Sequence, residues 1–320
     1  MNSLVSIAMC TYNGDRFIKE QIDSILSQTY SNIEIVIVDD GSKDSTQSII
    51  NEYLKKDNRI KFFQNKKNLG FVKNFEYAIS LCSGDYIALA DQDDIWKKDK
   101  IDVFIKNIGN NLLIYSDAIL VDKYSKEIGK ELIRPNGNLV KGKCNKAFIF
   151  YNCVSGNTLM FKKELIKYIL PIPNKMAFHD IWIAFVASTI GTITYTDTAY
   201  TYYRRYSEQV TKDIERNYIS VFDRFKKKED SYLITAKNLI DSCTVFKTVK
   251  NIDMDMDIIL DTIIEHYSNY ESGYFNFKMY RCLKKYKSEI FAIKKEQKVD
   301  RYIRKYSSKN KLQKILIYSL

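Results

Sequence analysis

The sequence predicts an α/β protein in which a mostly parallel sheet carries helices on both faces and is followed by a helical, basic region. Three observations predict it. Short β-rich runs alternate with amphipathic runs through the first hundred residues; polar loops rich in Gly and Asp follow the β-rich runs; and beyond about residue 211 the chain holds no Pro and one Gly, Gly273. Strand and helix alternating at this spacing imply crossover units, and in open sheets of that kind ligands bind beyond the carboxyl ends of the strands.

The elements follow in order. LVSIAM, IEIVIVDD, IKFFQN and DYIALADQDD read as strands, and RFIKEQIDSILSQ, STQSIINEYLKK, FVKNFEYAISLC and KKDKIDVFIKNI as the helices between and after them. In the helical runs the apolar residues recur at i, i+3 and i+4, as Phe17, Ile18, Ile22, Ile25 and Leu26 show, whereas IEIVIV is the continuous run of a strand buried on both faces. TYNGD, DDGSKDS, NKKNLG and DQDD end these strands, so four loops are expected at one crevice. From 111 to 210 the pattern is less regular: NLLIYSDAILVD and GNTLMF read as strands, KEIGKELIRPNGNLVKGK as a mobile polar loop and AFHDIWIAFVAST as a buried helix. From 211 to 320 nearly continuous helix is expected. The divisions are 1–100 and 101–210 within one α/β region, then 211–320.

Composition bounds the class. With 45% hydrophobic and 28% charged residues, 24 Tyr and 17 Phe, the chain reads as folded and globular. MNSLVSIAMCTYNG lacks the basic start and long apolar run of a secretory signal, and the longest uncharged stretch, Ile181 to Thr196, is too short to span a bilayer. Cys10, Cys82, Cys144, Cys153, Cys243 and Cys282 show no CxxC spacing and read as reduced thiols of a cytoplasmic protein, without a metal or redox role. Residues 278–320 carry 14 Lys and Arg against three acids, which accounts for the whole net charge of +11.

Two strand ends carry the chemistry. In IVIVDDGSKDST, Gly41 permits a tight turn and Asp44 or Ser45 can cap the next helix; a turn plus cap explains the motif, and so does a carboxylate accepting from a base N–H or a ribose hydroxyl. In ALADQDDIW, Asp91, Asp93 and Asp94 set three carboxylates within four residues. Like charges raise one another's pKa, so the cluster needs solvent, donors or a cation to offset it. A solvated acidic turn before a helix is the simpler account. The sharper one is a hard divalent cation, since Mg²⁺ uses one or two carboxylates with phosphate oxygens and water.

Taken together, VSIAMCTYNG, IVIVDDGSKDST, NLGFVKNFEYAI, GDYIALADQDDIW and FHDIWIAFVAS, in this order and spacing, resemble the family 2 glycosyltransferases of GT-A fold, especially rhamnosyltransferase-like members of bacterial polysaccharide clusters, over about residues 4–210. The resemblance implies that Thr11 and Tyr12 line a nucleotide base pocket and that Asp40 accepts from the N3–H of uracil or thymine. It puts Asn68 and Lys73 at nucleotide and diphosphate contacts, Asp91 at the ribose, and Asp93 at Mg²⁺ or Mn²⁺. It also makes Asp180 the general base, although Asp180 as an N-cap and His179 as a helix-start histidine account for the same pair. The family often follows with Arg-Gln-His; YYRRYSEQVT keeps Arg204 and replaces the rest with Arg205 and Tyr206, which removes a third protein metal ligand and turns Arg204 or Arg205 toward leaving-group phosphate.

The implied function is an inverting transfer of sugar from a UDP- or dTDP-linked donor to a hydroxyl of a glycan or lipid-linked glycan in cell-surface polysaccharide synthesis, such as capsule. The rivals are a sugar nucleotidyltransferase, for which TYNGDRF is a poor phosphate loop, and an inactive nucleotide-sugar binder. The basic tail 278–320 reads as a helix packed through its apolar stripe, as an anionic membrane contact at the inner face of the cell membrane, or, without any supporting motif, as a nucleic-acid site. Oligomerisation through the helices from 211 onward fits the first two.

Overall fold

The computed structural model describes residues 3–135, 137–206, 226–268 and 275–308. Its first half alternates as expected: β1 (Val5–Thr11), α1 (Ile18–Leu26), β2 (Ile33–Asp39), α2 (Thr46–Leu54), β3 (Ile60–Gln64), α3 (Phe71–Leu81), β4 (Tyr86–Asp91), β5 (Ile95–Trp96) and α4 (Lys100–Ile108). The second adds β6 (Leu113–Tyr115), β7 (Ala118–Val121), β8 (Glu127–Glu131), β9 (Leu159–Lys162), α5 (Ile166–Ile169), α6 (His179–Ile190), β10 (Ile193–Tyr195) and β11 (Thr201–Arg204).

A seven-stranded sheet runs β10-β6-β9-β4-β1-β2-β3. It is parallel except for β9, which lies antiparallel to both β4 and β6. Alternation along the central strands sorts side chains to two cores. Val36, Val38, Ile87 and Leu89 face α3 and α6, while Ile35, Ile37, Ala88 and Ala90 face α1, α2 and α4. That is why IEIVIVD is buried at every position; both faces are covered, and each large apolar side chain contributes roughly 1.5–3 kcal/mol on burial. The topology brings the carboxyl ends of β1, β2 and β4 side by side, since β1 lies between the other two.

Three expectations change. NLLIYSDAILVD is two strands in different sheets, broken at Asp117, whose buried carboxylate accepts from the backbone N–H of Ala118, Ile133 and Arg134. The polar stretch 126–143 is not a loop throughout, because β8 pairs with β7 as the edge of a second, four-stranded sheet, β5-β11-β7-β8. The C-terminal region is segmented into Lys226–Phe246, Met254–Ser268, Phe277–Lys285, Lys287–Ile290 and Val299–Tyr306 rather than nearly continuous. These helices share the α6-side core: Phe246 stacks on Phe185 with ring centres 3.7 Å apart, and Tyr306 stacks on Phe150 at 4.3 Å. The tail therefore packs through an apolar stripe as far as residue 308, and its last residues, 309–320, lie outside the described residues.

Candidate active site

The strand-end loops are sewn to one another by buried polar groups. Asp39 ends β2 with no exposure and accepts from Thr11 Oγ1 at 2.9 Å and from the backbone N–H groups of Gly41 and Ser42 at 3.1 and 2.9 Å. Gly41 has φ +85°, a conformation open to glycine at little cost. Asn13, Gly14 and Asp15 then reach across: their N–H groups donate to Ser42 Oγ, Thr46 Oγ1 and Asp44. Asp44, not Ser45, accepts from the N–H of Thr46 at the start of α2. Asp40 holds the third loop, because its carboxylate accepts from the N–H of Leu69 at 2.8 Å, the N–H of Gly70 at 2.9 Å and Asn65 Nδ2 at 2.8 Å.

The fourth loop closes the set. The Gln92 side chain accepts from the Tyr12 N–H at 2.8 Å and donates to the Tyr12 carbonyl at 3.0 Å. A Cβ on Gly14 would sit 2.2 Å from Gln92 Oε1, so a larger residue there would push the Gln92 side chain away from Tyr12. Between the loops lies a crevice of about 660 Å³ lined by Thr11, Tyr12, Asp40, Asn68, Asp91, Asp93 and Asp180 among others. Seven of the nine residues expected at the site thus share one cavity.

Lys73 and Arg204 do not line it. Lys73 Nζ is held by Glu76 and by the Ile172 carbonyl, each at 2.7 Å, and borders a separate open cavity. Arg204 is fully buried: Nη2 meets Glu20 at 2.5 Å, Nη1 donates to Ser125 Oγ at 2.9 Å, and Nε donates to the Asp93 carbonyl at 2.7 Å. It braces the acidic turn from behind instead of facing phosphate. Its own N–H also donates to Asp94 at 3.0 Å.

The three carboxylates of the turn have three environments. Asp91 lines the crevice and is pushed up to about 7 by burial, then by the charges of Asp93 and Asp180, with Lys100 opposing. Asp93 accepts from the Tyr206 hydroxyl at 2.8 Å; burial, then the Asp93 charge, raises that phenol. Asp94 is buried on an Asn157 side-chain donor and is driven well above the carboxylate range by burial, then by Asp93 and Asp91. Beneath them lies Lys100, fully buried, donating to the Asn157 carbonyl at 2.6 Å and Thr201 Oγ1 at 3.1 Å and resting 3.5 Å over the Trp96 ring. Burial drives this amine down, opposed by Asp94 and Asp91. Sequence reasoning missed Lys100, Gln92 and Asn157; KKDK carries no signal that one of its lysines turns inward.

Asp180 lies in the first turn of α6, two residues past the N-cap Phe178, so it is not the cap. Burial pushes it up to about 6 against the backbone donors Ile181 and Gly156. His179 beside it is 6% exposed, stacks on Phe75 at 4.2 Å, and is driven down to about 3 by burial, hence neutral. Neither of its ring nitrogens has a hydrogen-bond partner among the described residues.

The donor set can be weighed against a divalent cation. Asp91, Asp93 and the Tyr206 hydroxyl offer oxygen only, which suits Mg²⁺ or Mn²⁺. Among the described residues no cluster of three His, Cys, Asp or Glu side chains forms a full cage. These residues therefore offer part of a hard-cation oxygen shell and not the whole of one. No described helix is long and apolar enough to cross a membrane.

Comparison with known proteins agrees with the fold. An uncharacterized glycosyltransferase of Haemophilus influenzae is 28% identical over 319 residues, covering 94% of this chain and 97% of that protein. Residues 1–349 of S. aureus TarS, solved with UDP-GlcNAc, superpose with a TM-score of 0.57 at 17% identity, over 96% of this chain and 88% of that one. The mannosyltransferase PcManGT of Pyrobaculum calidifontis, solved with GDP-Man and Mn²⁺, gives 0.54 at 15% identity over 82% and 79%. These likenesses establish the GT-A fold. The family described as glycosyl transferase family 2 matches residues 6–169, half of the chain and all four strand-end loops, and the chain belongs to that family.

Proposed function

We propose that the protein transfers a sugar from a nucleoside-diphosphate sugar to a hydroxyl of a glycan acceptor with inversion at the anomeric carbon. The observation that carries this reading is the single crevice in which Thr11, Tyr12, Asp40 and Asn68 stand with Asp91, Asp93 and Asp180. Thr11, Tyr12 and Asp40 bind the base, Asn68 the nucleotide, and Asp91 the ribose. Asp180, neutral to anionic near pH 6, takes the proton of the acceptor hydroxyl. The acceptor oxygen then bonds to the anomeric carbon as the bond from that carbon to the diphosphate oxygen breaks, and the nucleoside diphosphate leaves with the electron pair. Asp93 would hold Mg²⁺ or Mn²⁺, which supplies Lewis-acid stabilisation of the diphosphate. Support for a nucleotide-sugar donor and for metal comes from TarS, solved with UDP-GlcNAc, and PcManGT, solved with GDP-Man and Mn²⁺.

Incubation with UDP-, dTDP- and GDP-sugars and Mn²⁺ tests the reading through slow donor hydrolysis. Release of nucleoside diphosphate and free sugar supports it. Sugar 1-phosphate formed with pyrophosphate would point to a nucleotidyltransferase, and binding without turnover to an inactive homologue.

We also propose that the basic tail docks on anionic lipid. Lys284, Lys287, Lys298, Arg304 and Lys305 are exposed while Met279, Leu283, Phe291 and Ile303 are buried, so the basic groups face outward. Each contributes about 1 kcal/mol near an anionic leaflet. Because deleting 278–320 would open the core, the test is charge reversal, Lys298→Glu with Arg304→Glu and Lys305→Glu. Loss of salt-sensitive co-sedimentation with phosphatidylglycerol vesicles is expected; unchanged sedimentation overturns it, and self-association of the unchanged protein by light scattering would favour oligomerisation through the helices.

A further inference from the structure

Gln92 stands between Asp91 and Asp93 in the sequence, yet its side chain is turned to the first loop of the crevice. Its amide pairs in both directions with the main chain of Tyr12, 80 residues earlier: Oε1 accepts from the Tyr12 N–H at 2.8 Å and Nε2 donates to the Tyr12 carbonyl at 3.0 Å. The next residue, Asn13, lies in the left-handed region at φ +48° and is held from the opposite side. Its N–H donates to Ser42 Oγ at 2.9 Å, and its Oδ1 accepts from the Lys43 N–H at 2.8 Å. The main chain at Tyr12 and Asn13 is thus fixed by the acidic turn on one side and by the loop after β2 on the other. The Tyr12 ring itself is 47% exposed and lines the crevice. Gly14 leaves the space that Gln92 fills, since the three atoms nearest an added Cβ all belong to Gln92, at 2.2, 2.4 and 3.1 Å.

We propose that Gln92 is a positioning residue for the base end of the nucleotide site, holding the Tyr12 main chain so that the ring is already set against a nucleobase before the nucleotide arrives. The inference rests on the nucleotide-sugar reading and adds to it a residue of the acidic turn that acts away from the cation. Stacking on an aromatic face is open to every base, so its contribution depends on whether the ring is in place. A loop fixed in its bound shape loses less freedom on binding, and the Gln92 pair together with the bracket on Asn13 fixes this one. The amide also suits the task. It offers a donor and an acceptor side by side, which the N–H and carbonyl of one residue match, whereas a carboxylate at position 92 could only accept and would repel the Tyr12 carbonyl. A glutamine therefore separates Asp91 from Asp93 where another acid would release the loop.

The test measures, by calorimetry, the Kd of UDP, dTDP and GDP in EDTA and again with Mn²⁺, and follows whichever the unsubstituted protein binds most tightly. Gln92→Leu should weaken binding in EDTA roughly tenfold, from the loss of two ordering hydrogen bonds, while the ratio of the two Kd values moves less than about threefold. Asp93→Asn should show the opposite signature, a collapsed ratio. Gly14→Ala, which pushes Gln92 off Tyr12, should reproduce the loss in EDTA. Gly14→Ala combined with Gln92→Ala should bind no more weakly than Gln92→Ala alone, because the two act through one contact. Should Gln92→Leu fail to fold by its thermal midpoint, Gly14→Ala carries the same expectation. An unchanged Kd in EDTA, a loss confined to Mn²⁺, or additive losses in the double variant would each overturn the proposal. No nucleotide binding by the unsubstituted protein would strike the nucleotide-sugar reading, and this proposal with it.

Discussion

The acidic turn Asp91–Asp94 and the lone carboxylate Asp180 share a crevice but are supported differently. The turn is tied from behind by Arg204 on the Asp93 carbonyl, by Asn157 on Asp94, by Gln92 on Tyr12 and by buried Lys100. Asp180 is supported, among the described residues, by the backbone N–H groups of Ile181 and Gly156, with the charge of Asp91 nearby. A braced cluster keeps a fixed shape for a charged ligand, whereas a sparsely supported, half-buried carboxylate has its proton affinity raised. The first suits binding and the second suits proton transfer.

The largest expected effect comes from breaking the sparse side. Asp180→Asn should lower turnover by ~10²–10⁴ and leave UDP and Mn²⁺ affinity near wild type, measured on one preparation. In the unsubstituted protein kcat/KM should fall about tenfold per pH unit below about 6, where Asp180 takes its proton. The stability sign is opposite to that of a salt-bridged acid. Its folded pKa lies above the unfolded value, so the folded state binds the extra proton and stability from this group is lost as pH rises from about 4 through 6. Asp180→Asn should therefore raise the thermal midpoint at pH 8 and lose that gain near pH 4; an equal midpoint at both would contradict the raised carboxyl.

Removing the brace beneath the turn comes next. Lys100→Met leaves the Asn157 carbonyl and Thr201 without their donor and the acids without a counter-charge, so a loss of about 3–5 kcal/mol is expected by denaturant titration, as for other broken buried charge networks. The loss should be larger at pH 8 than at pH 5, since Asp91, pushed up to about 7, is protonated at the lower pH and then needs less compensation. A wild-type midpoint would show that the lysine merely fills space.

Asp93→Asn acts on the binding side alone. It removes a hard-cation oxygen charge, and the metal-dependent part of nucleotide affinity should vanish, on the order of 10–100-fold by calorimetry with UDP or dTDP and Mn²⁺. Unchanged affinity would move the metal elsewhere. The smallest effect belongs to Lys73→Ala. Its partners are Glu76 and a carbonyl outside the crevice, so nucleotide affinity should change less than about threefold and stability by ~0–1 kcal/mol, as for a partly exposed ion pair. A large loss of affinity would restore Lys73 to the diphosphate.

The sequence by itself determined the order of strands and helices in the first half, the burial of IEIVIV on both faces and the convergence of the strand-end loops. These follow from periodicities and turn residues within about ten positions of one another. Asp93 and Asp180, singled out by the family resemblance, both line the crevice, one just after a strand end and the other at a helix start. Tertiary structure alone decided the direction of long side chains. Lys73 turns to a carbonyl 99 residues away, Arg204 to Glu20 184 residues away, and Lys100 inward to Asn157 and Thr201, 57 and 101 residues on. The hairpin β7–β8 likewise needed β11 beside it, since a polar strand without an apolar face shows no local pattern. A flexible cation settles on whichever acceptors folding brings within about 3 Å, and nothing in its own neighbourhood along the chain specifies them.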